Sequence, residues 1–457
     1  MNQADPYENV LRLLSGQPAP ARKDQTVALV IPPSPQIPTP GREFLITGPF
    51  EGLTSIATVV RKLGYGLKVV DCRPAGNERA AHVLAELKGA DIIGLAAYCD
   101  SFAFLEEMTA GIKQAYPGVT LFLGGPLVTS LPQLLLEKTS ADCALLGEAE
   151  LTLIEFLEAA LGKRGGDLSA VKGMALKTPS GVKLTAPRPQ IQNLDSLPFP
   201  DYTVWPNYRD IVKNGQVIIS TTRGCPCACT FCYKTIPSLR TKSLGRFADE
   251  VAYLKRTTGF DYAWLNDLTF NADPKRALGA ADILCRSGVK YHVFARVTGM
   301  TDEFAAGLKR TGCLGIWFGI ESYDQGVLDR NRKNTTIAAI NRAVEISARA
   351  GLQARGLFIV GLPGETEDSL KKMYDYIKTG DFIPLVKYLV PFPGTAVYED
   401  AVKTGRIKDA EEFLRKLSVR RAGDFDDEIV NMTGLDEALI RGYFHDIWEL
   451  TRKKEPA

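Results

Sequence analysis

The sequence predicts an α/β protein in two parts, a doubly wound Rossmann-like domain followed by a partial (β/α)6 barrel, with a small helical region at the carboxyl end. Three observations predict it. Short apolar runs alternate with amphipathic stretches over residues 43–165 and again over 213–400, a rhythm that builds parallel sheets covered by helices. Between the two series, residues 166–212 lose the rhythm and gather Pro187, Pro189, Pro198, Pro200 and Pro206, which reads as a linker. A chain of 457 residues, 45% hydrophobic and 24% charged, has the length and composition for more than one globular domain.

Taken in order, residues 1–42 read as an arm: a short helix over Tyr7–Leu14, then Gly/Pro-rich sequence to Gly41. The first domain is expected to run strand Phe44–Thr47, helix Leu53–Leu63, strand Leu67–Asp71, helix Glu78–Leu87 and strand Asp91–Leu95. It continues with helix Phe104–Ala115, strand Val119–Leu123, helix Leu131–Glu137 and strand Ala141–Leu146. A ligand would sit at the carboxyl ends of those strands. In the second series, strands fall at Val217–Ser220, Tyr262–Leu265, Tyr291–Phe294, Leu314–Phe318, Gly356–Val360 and Val386–Val390. Helices lie between them at Ala248–Arg256, Asp302–Arg310, Ile337–Ala350 and Glu367–Lys378. A barrel of this kind carries its chemistry at the strand carboxyl ends. Residues 401–457 read as helical and charged, without a motif.

Charge excludes some partners. With 55 Lys and Arg against 53 Asp and Glu, the net charge of +2 leaves no basic footprint for nucleic acid. No apolar run reaches a membrane-spanning length and the amino terminus lacks signal-peptide character, so a cytoplasmic protein is expected. The three histidines, His82, His292 and His445, are dispersed, which argues against a His-rich metal centre.

Of nine cysteines, Cys225, Cys227, Cys229 and Cys232 crowd into one short segment after a strand. In a reducing compartment such a cluster is a metal or redox site. Cys72, Cys99, Cys143, Cys285 and Cys313 are scattered among apolar residues and read as small buried hydrophobes. Cys225, Cys229 and Cys232 form C-x3-C-x2-C, which can hold an iron-sulfur cluster with one iron lacking a cysteine ligand. Structural zinc is the alternative, but it draws a second ligand pair from elsewhere and no second C-x2-C exists. Cys227 either replaces Cys225 as a ligand or points away.

The C-x3-C-x2-C loop after the first barrel strand resembles the signature of the radical S-adenosylmethionine superfamily. The resemblance implies a 4Fe-4S cluster on Cys225, Cys229 and Cys232 whose open iron chelates S-adenosylmethionine, with Phe231 bordering the adenine. Trp264–Phe270 resembles the strand end of the branch that also carries a cobalamin domain, which places Asp267 as an acceptor for the S-adenosylmethionine amino group. Phe294–Val297 and Trp317–Ser322 resemble the next strand ends, implying that Arg296 and Glu321 contact its carboxylate, amine or ribose. Gly361–Thr366 matches the branch's glycine-rich turn, and Gly361 lets the backbone approach the ligand. Pro391–Thr395 matches the last strand end.

In the first domain, Asp71, Arg73 and Gly76 stand where cobalamin-binding domains carry D-x-H-x2-G, with Arg73 in the place of the histidine. Arginine is always protonated and offers no lone pair, so cobalamin would bind without a histidine below cobalt. Gly124, Gly125, Gly147 and Glu148 resemble turns that accommodate the corrin tail. Tyr98, Asp100 and Phe102 would face the corrin, with core packing an equal reading of the aromatics. A domain that has lost its cofactor is the alternative.

The resemblance implies a cobalamin-dependent radical S-adenosylmethionine C-methyltransferase. In that chemistry a 5′-deoxyadenosyl radical takes hydrogen from an unactivated sp3 carbon, which then accepts a methyl group from methylcobalamin. A second S-adenosylmethionine restores the methyl group and leaves S-adenosylhomocysteine. The substrate is a protein or a small molecule, and a protein side chain of the sort modified in methyl-coenzyme M reductase is favoured. An electron donor such as flavodoxin or ferredoxin is implied. Rival readings are ring contraction or cyclisation with the same cofactors, methylation of a lipid, tetrapyrrole or natural product, and a cofactor sensor without turnover.

Overall fold

A computed structural model describes residues 9–11, 14, 23–33, 48–74, 76–162, 166–233, 238–419 and 430–454. The chain divides into two compact units, one built from residues 1–217, 253–259 and 411–420, the other from 218–252, 260–410 and 421–457.

The first unit is organised by strand β1, Thr26–Ile31, with five of its six residues buried. Apolar, mostly β-branched runs of this kind suit a parallel strand covered on both faces. β1 lies inside the segment expected to be an arm, so residues 1–42 are not an arm alone; the prolines at 18, 20, 32 and 33 disguise a central strand. The expected strand Phe44–Thr47 lies outside the described residues, whereas the described part of the expected Tyr7–Leu14 helix, residues 9–11 and 14, is helical. The sheet continues with β2 (Gly66–Asp71), β3 (Ile92–Ala96), β4 (Thr120–Gly124), β5 (Cys143–Leu145), β6 (Met174–Thr178) and β7 (Gly181–Leu184). Their order is β2-β1-β3-β4-β5-β6-β7, parallel through β5 and antiparallel beyond. The parallel order reverses between β1 and β3, the crevice where doubly wound sheets bind ligands.

The expected linker is also corrected. Residues 174–184 form the β6–β7 hairpin, and Leu194, Leu197, Tyr202 and Trp205 are buried. Trp205 donates its indole N–H to the Thr54 hydroxyl at 2.9 Å, which ties the proline-rich stretch to helix Glu51–Lys62. The prolines interrupt hydrophobic periodicity without preventing burial. The carboxyl-terminal region is not one element either. Helix Ala410–Val419 gives Leu414 to the first unit's core, while helix Glu437–Lys454 packs in the second, Phe444 stacking on Tyr388 at 4.2 Å. Of the scattered cysteines, Cys72, Cys143 and Cys313 are buried as expected; Cys99 is half-buried and Cys285 is exposed.

The second unit contains β8 (Ile218–Ile219), β9 (Thr222–Arg223), β10 (Arg240–Thr241), β11 (Tyr262–Leu265), β12 (Lys290–Ala295), β13 (Cys313–Glu321), β14 (Gln353–Val360) and β15 (Ile383–Tyr388). Six of them form a parallel sheet in the order β15-β14-β13-β12-β11-β8, with β8 and β15 at its edges. This is the open six-stranded arrangement expected. Helices Asp302–Arg310, Ile337–Arg349 and Glu367–Thr379 are each preceded by a threonine, Thr301, Thr336 and Thr366, whose side chain accepts from the backbone N–H of the helix's third residue. Such caps fix the helix starts.

Candidate cofactor sites

At the carboxyl end of β8 the chain leaves the sheet, and the antiparallel pairing of β9 with β10 closes the base of the segment that carries the four cysteines. Asp267, just beyond β11, fixes that base. It is fully buried, and its carboxylate accepts from the backbone N–H groups of Thr221 and Thr222 at 2.8 and 2.6 Å and from both hydroxyls at 2.7 Å. Burial raises its carboxyl above the ordinary range, and the four donors oppose that. Arg276 adds a second hold on Thr221, donating to its hydroxyl at 2.9 Å and its carbonyl at 3.0 Å.

The middle of the cysteine segment is tied down at Thr230. Its N–H and hydroxyl donate to the carbonyl and side-chain oxygen of Asn331 at 3.1 and 2.9 Å, and its carbonyl accepts from Val397 N–H. Asn331 is buried and donates to the Pro363 carbonyl at 2.9 Å, so one side chain joins the cysteine segment to the Gly361–Gly364 turn. Asn331→Ala is expected to lower iron retained after desalting several-fold, because the Thr230 hydroxyl loses its buried acceptor; wild-type iron content in the variant would contradict this role.

Cys225, Cys229 and Cys232 lie within electrostatic reach of one another. Cys232 is pushed up to about 11, first by burial and then by Cys229, Cys225 and Glu321. Thiolates that repel one another suit a cationic iron core. Among the described residues no group of three or more His, Cys, Asp or Glu side chains gathers as the shell of a single ion; the thiolates of an iron-sulfur cluster bind separate irons. Cys227 sits among the other three, within hydrogen-bond reach of Cys225 and electrostatic reach of Cys229, and Arg296 Nη1 lies 2.9 Å from its Sγ. The guanidinium also donates to the Asn334 carbonyl at 2.9 Å, and Asn271 holds the Arg296 backbone through Oδ1 at 2.9 Å. Glu321 sits at a register shift between β13 and β14 with φ of +69°; bulges and strained backbone of this kind re-aim side chains at functional sites. Its carboxylate meets Lys333 Nζ at 2.6 Å. Phe231 is partly exposed.

Gly361 adopts a φ of +96° and donates its N–H to Glu365 Oε2 at 2.7 Å. Glu365 is buried, its Oε1 has no hydrogen-bond partner among the described residues, and burial pushes its carboxyl up to about 8. The unfolded carboxyl ionises near 4.5, so the unfolded chain sheds a proton that the folded chain keeps until about pH 8. Stability must therefore fall as pH rises through that window. Glu365→Gln should flatten the decline in urea midpoint between pH 5 and 8; an unchanged slope would contradict a neutral Glu365.

In the first unit, three glycines at strand ends, Gly76, Gly124 and Gly147, have open space where a side chain would stand. Gly125 differs: at φ +112° a Cβ would come within 3.0 Å of the Ala97 carbonyl. Arg73 is folded onto Asp71, with Nε to Oδ1 at 2.8 Å, Nη2 to Oδ2 at 2.7 Å and Nη1 to the Gly48 carbonyl at 2.6 Å. Its guanidinium lies over Phe50 and Trp205. Tyr98 is half-buried against Phe50 at 4.9 Å, and burial raises the carboxyl of Asp100. Phe102 takes the packing reading, since it is wholly buried in the core. Glu148 accepts from Ile191 N–H at 3.2 Å. Gly76 follows β2, Gly124 ends β4 and Gly147 follows β5, so open backbone lies at the carboxyl edge of the sheet on both sides of the β1–β3 crevice.

A doubly wound domain with a glycine cradle and an open barrel with a closed-base thiolate loop together define an enzyme of two cofactor-binding domains. The Radical SAM superfamily matches residues 219–377 and the B12 binding domain residues 47–157. The chain carries a radical SAM domain and a B12-binding domain and is homologous to cobalamin-dependent radical SAM methyltransferases. It is 29% identical over 393 residues to an uncharacterised methyltransferase of Pyrococcus horikoshii, covering 83% of this chain and 84% of that one. It is 27% identical to the anaerobic magnesium-protoporphyrin IX monomethyl ester cyclase of Rubrivivax gelatinosus, over 71% of this chain and 60% of the relative. The fold is similar to that of the methyltransferase TsrM of Kitasatospora setae, solved with cobalamin and a [4Fe-4S] cluster bound, with a TM-score of 0.66 at 18% identity over 83% of this chain and 75% of that one. Its cofactors are a 4Fe-4S cluster, S-adenosylmethionine and cobalamin. No helix among the described residues is long and apolar enough to cross a membrane.

Proposed function

We propose that the protein is a C-methyltransferase that methylates an unactivated sp3 carbon after hydrogen abstraction. The observation that carries this reading is the three-cysteine segment, closed at its base and tied at Thr230, in a chain whose other unit carries open glycine turns at the carboxyl edge of a doubly wound sheet. When bound, the cofactors supply the radical and the methyl group; the chain's own residues position them and exclude water. Cys225, Cys229 and Cys232 would hold the cluster, with Asp267, Arg276 and Asn331 holding the segment that presents them. Glu321, Arg296 and the Gly361 turn are the groups proposed to meet S-adenosylmethionine, Glu321 and Arg296 exchanging Lys333 and Cys227 for the ligand. Asp267 is proposed as a positioning residue instead of an amine acceptor, because Thr221 and Thr222 already occupy both of its oxygens. Asp71 and Arg73 would form a wall of the cobalamin cradle, without a nitrogen ligand to cobalt.

The protein side chain expected from the sequence stays a proposal. Relatives with named substrates support a small molecule: they include a cytidylyl-2-hydroxyethylphosphonate methyltransferase of Streptomyces wedmorensis and a bacteriochlorophyllide methyltransferase of Chlorobaculum tepidum. A cytoplasmic setting with a flavodoxin or ferredoxin donor fits this chemistry. Metal analysis after anaerobic reconstitution tests the cofactor count, with about four irons and one cobalt per chain expected. Iron without cobalt would remove the methyl carrier and the proposal with it.

A further inference from the structure

Residues 267–271, which run from just beyond β11 into the short turn Phe270–Ala272, are pinned at both ends. At one end the Asp267 carboxylate takes its hydrogen bonds from Thr221 and Thr222, at the base of the cysteine segment. At the other, buried Asn271 accepts from the Arg296 N–H at 2.9 Å and donates to the Arg296 and Thr298 carbonyls at 2.9 and 3.0 Å. Between these anchors stands Thr269, 3% exposed, whose carbonyl accepts from the Ala272 N–H at 3.1 Å. Its hydroxyl lies 3.5 Å from Cys225 Sγ and 2.8 Å from the Leu268 carbonyl.

Cys225 differs from the other two proposed ligands. It is buried, whereas Cys229 and Cys232 are half-buried, so water has least access to its sulfur and a hydrogen bond from the protein counts for most there. As a free thiol, Cys225 can donate to the Thr269 oxygen while the hydroxyl donates to the Leu268 carbonyl. A thiol gives up its proton on becoming a metal ligand. Cys225 then offers only lone pairs, and the one proton left between the two side chains is that of the Thr269 hydroxyl. The hydroxyl therefore turns from the Leu268 carbonyl to the sulfur, and the contact becomes a charge-assisted hydrogen bond to a thiolate.

We propose that Thr269 tunes the cluster's reduction potential: its hydroxyl donates to the Cys225 thiolate and makes the cluster easier to reduce. The inference rests on Cys225 being a cluster ligand and adds a residue that sets how readily the cluster takes its electron. Reduction raises the electron density on the ligand sulfurs, so a donor at one of them stabilises the reduced form more than the oxidised form. Hydrogen bonds to the sulfurs are among the determinants of cluster potential. The electron itself comes from the external reductant, and no proton moves. Threonine supplies the donor without adding a charge, and the anchors at Asp267 and Asn271 hold it in place before the electron arrives.

Potentiometric titration of the anaerobically reconstituted full-length protein, with the reduced cluster counted by paramagnetic resonance, tests it. Thr269→Val keeps the shape of the side chain and removes the hydroxyl. At the wild-type midpoint its ratio of reduced to oxidised cluster is expected to fall at least threefold, a shift of about 30 mV to more negative potential for a one-electron couple. Thr269→Ser keeps the hydroxyl and should stay near the wild-type ratio. The midpoint is read from bound cluster alone, so partial loss of iron in a variant does not mask it. If Thr269→Val holds no cluster, Thr269→Ala is titrated in its place with the same fall expected. A midpoint unmoved by loss of the hydroxyl, or a shift in Thr269→Ser as large as that in Thr269→Val, would overturn the proposal. Iron content of Cys225→Ala is scored separately: full retention removes Cys225 as a ligand, whereas loss of iron there beside an unmoved Thr269→Val midpoint removes only the tuning role.

Discussion

Replacing Cys229 by alanine abolishes 5′-deoxyadenosine formation and leaves a protein that holds no stable cluster. Cys229 is the middle ligand in the proposed set, and its neighbour Thr230 is anchored on both sides, by Asn331 and by Val397. The loop at this point has little freedom to supply a substitute. Cys227, within hydrogen-bond reach of Cys225, is the nearest candidate thiol, but its sulfur is already engaged by Arg296. With two thiolates the cluster loses a ligand to an iron that the chain cannot otherwise reach. The loss should appear in iron content, in the visible absorption of the cluster and in product formation together. Cys227→Ala is the matching control and should retain cluster and activity. Wild-type deoxyadenosine formation by Cys229→Ala, or a loss on Cys227→Ala as deep as on Cys229→Ala, would reverse the assignment.

Asp267→Ala has the second large effect, and by a different route. The substitution leaves two backbone N–H groups and two hydroxyls facing a fully buried void without an acceptor. Each orphaned donor costs about 1–3 kcal/mol, so the total reaches the upper end of single-substitution effects, about 4 kcal/mol or more. Because Thr221 and Thr222 form the base of the cysteine segment, the loss is expected first as iron that fails to stay bound, then as a lowered melting temperature. Asp267→Asn keeps one accepting oxygen and should fall between the variant and the wild type. If Asp267→Ala kept its iron and lost only affinity for S-adenosylmethionine, the residue would be an amine acceptor after all.

Local signals made the barrel readable from the sequence. The spacing of Cys225, Cys229 and Cys232 is a property of a few adjacent residues, and the strand ends at Asn266–Asp267, Arg296 and Glu321 follow directly on apolar runs. The functions of those residues were harder to read because each depends on a distant partner: Thr221 and Thr222 for Asp267, Cys227 for Arg296, Lys333 for Glu321. Asn331 and Glu365 were missed as site residues for the same reason. Asn331 sits just past a short helix and Glu365 inside a turn, and neither position reveals a side chain tied to the cysteine segment or to Gly361. In the first unit the error was one of punctuation. Prolines on both sides of Thr26–Ile31 and through residues 187–206 read as chain without structure. In the fold they bracket a central strand and a packed strap, because burial of Val27, Leu29 and Ile31, or of Tyr202 and Trp205, outweighs the missing periodicity.

The central claim is that the chain moves methyl groups through cobalamin, and it can be tested before any substrate is known. The cobalamin-loaded, reduced protein is incubated with S-adenosylmethionine labelled in its methyl group, and cobalamin, S-adenosylhomocysteine and 5′-deoxyadenosine are quantified. Label on cobalamin with matching S-adenosylhomocysteine, together with 5′-deoxyadenosine, is the expected result. Formation of 5′-deoxyadenosine without S-adenosylhomocysteine or labelled cobalamin would contradict it and assign the cobalamin to a different reaction.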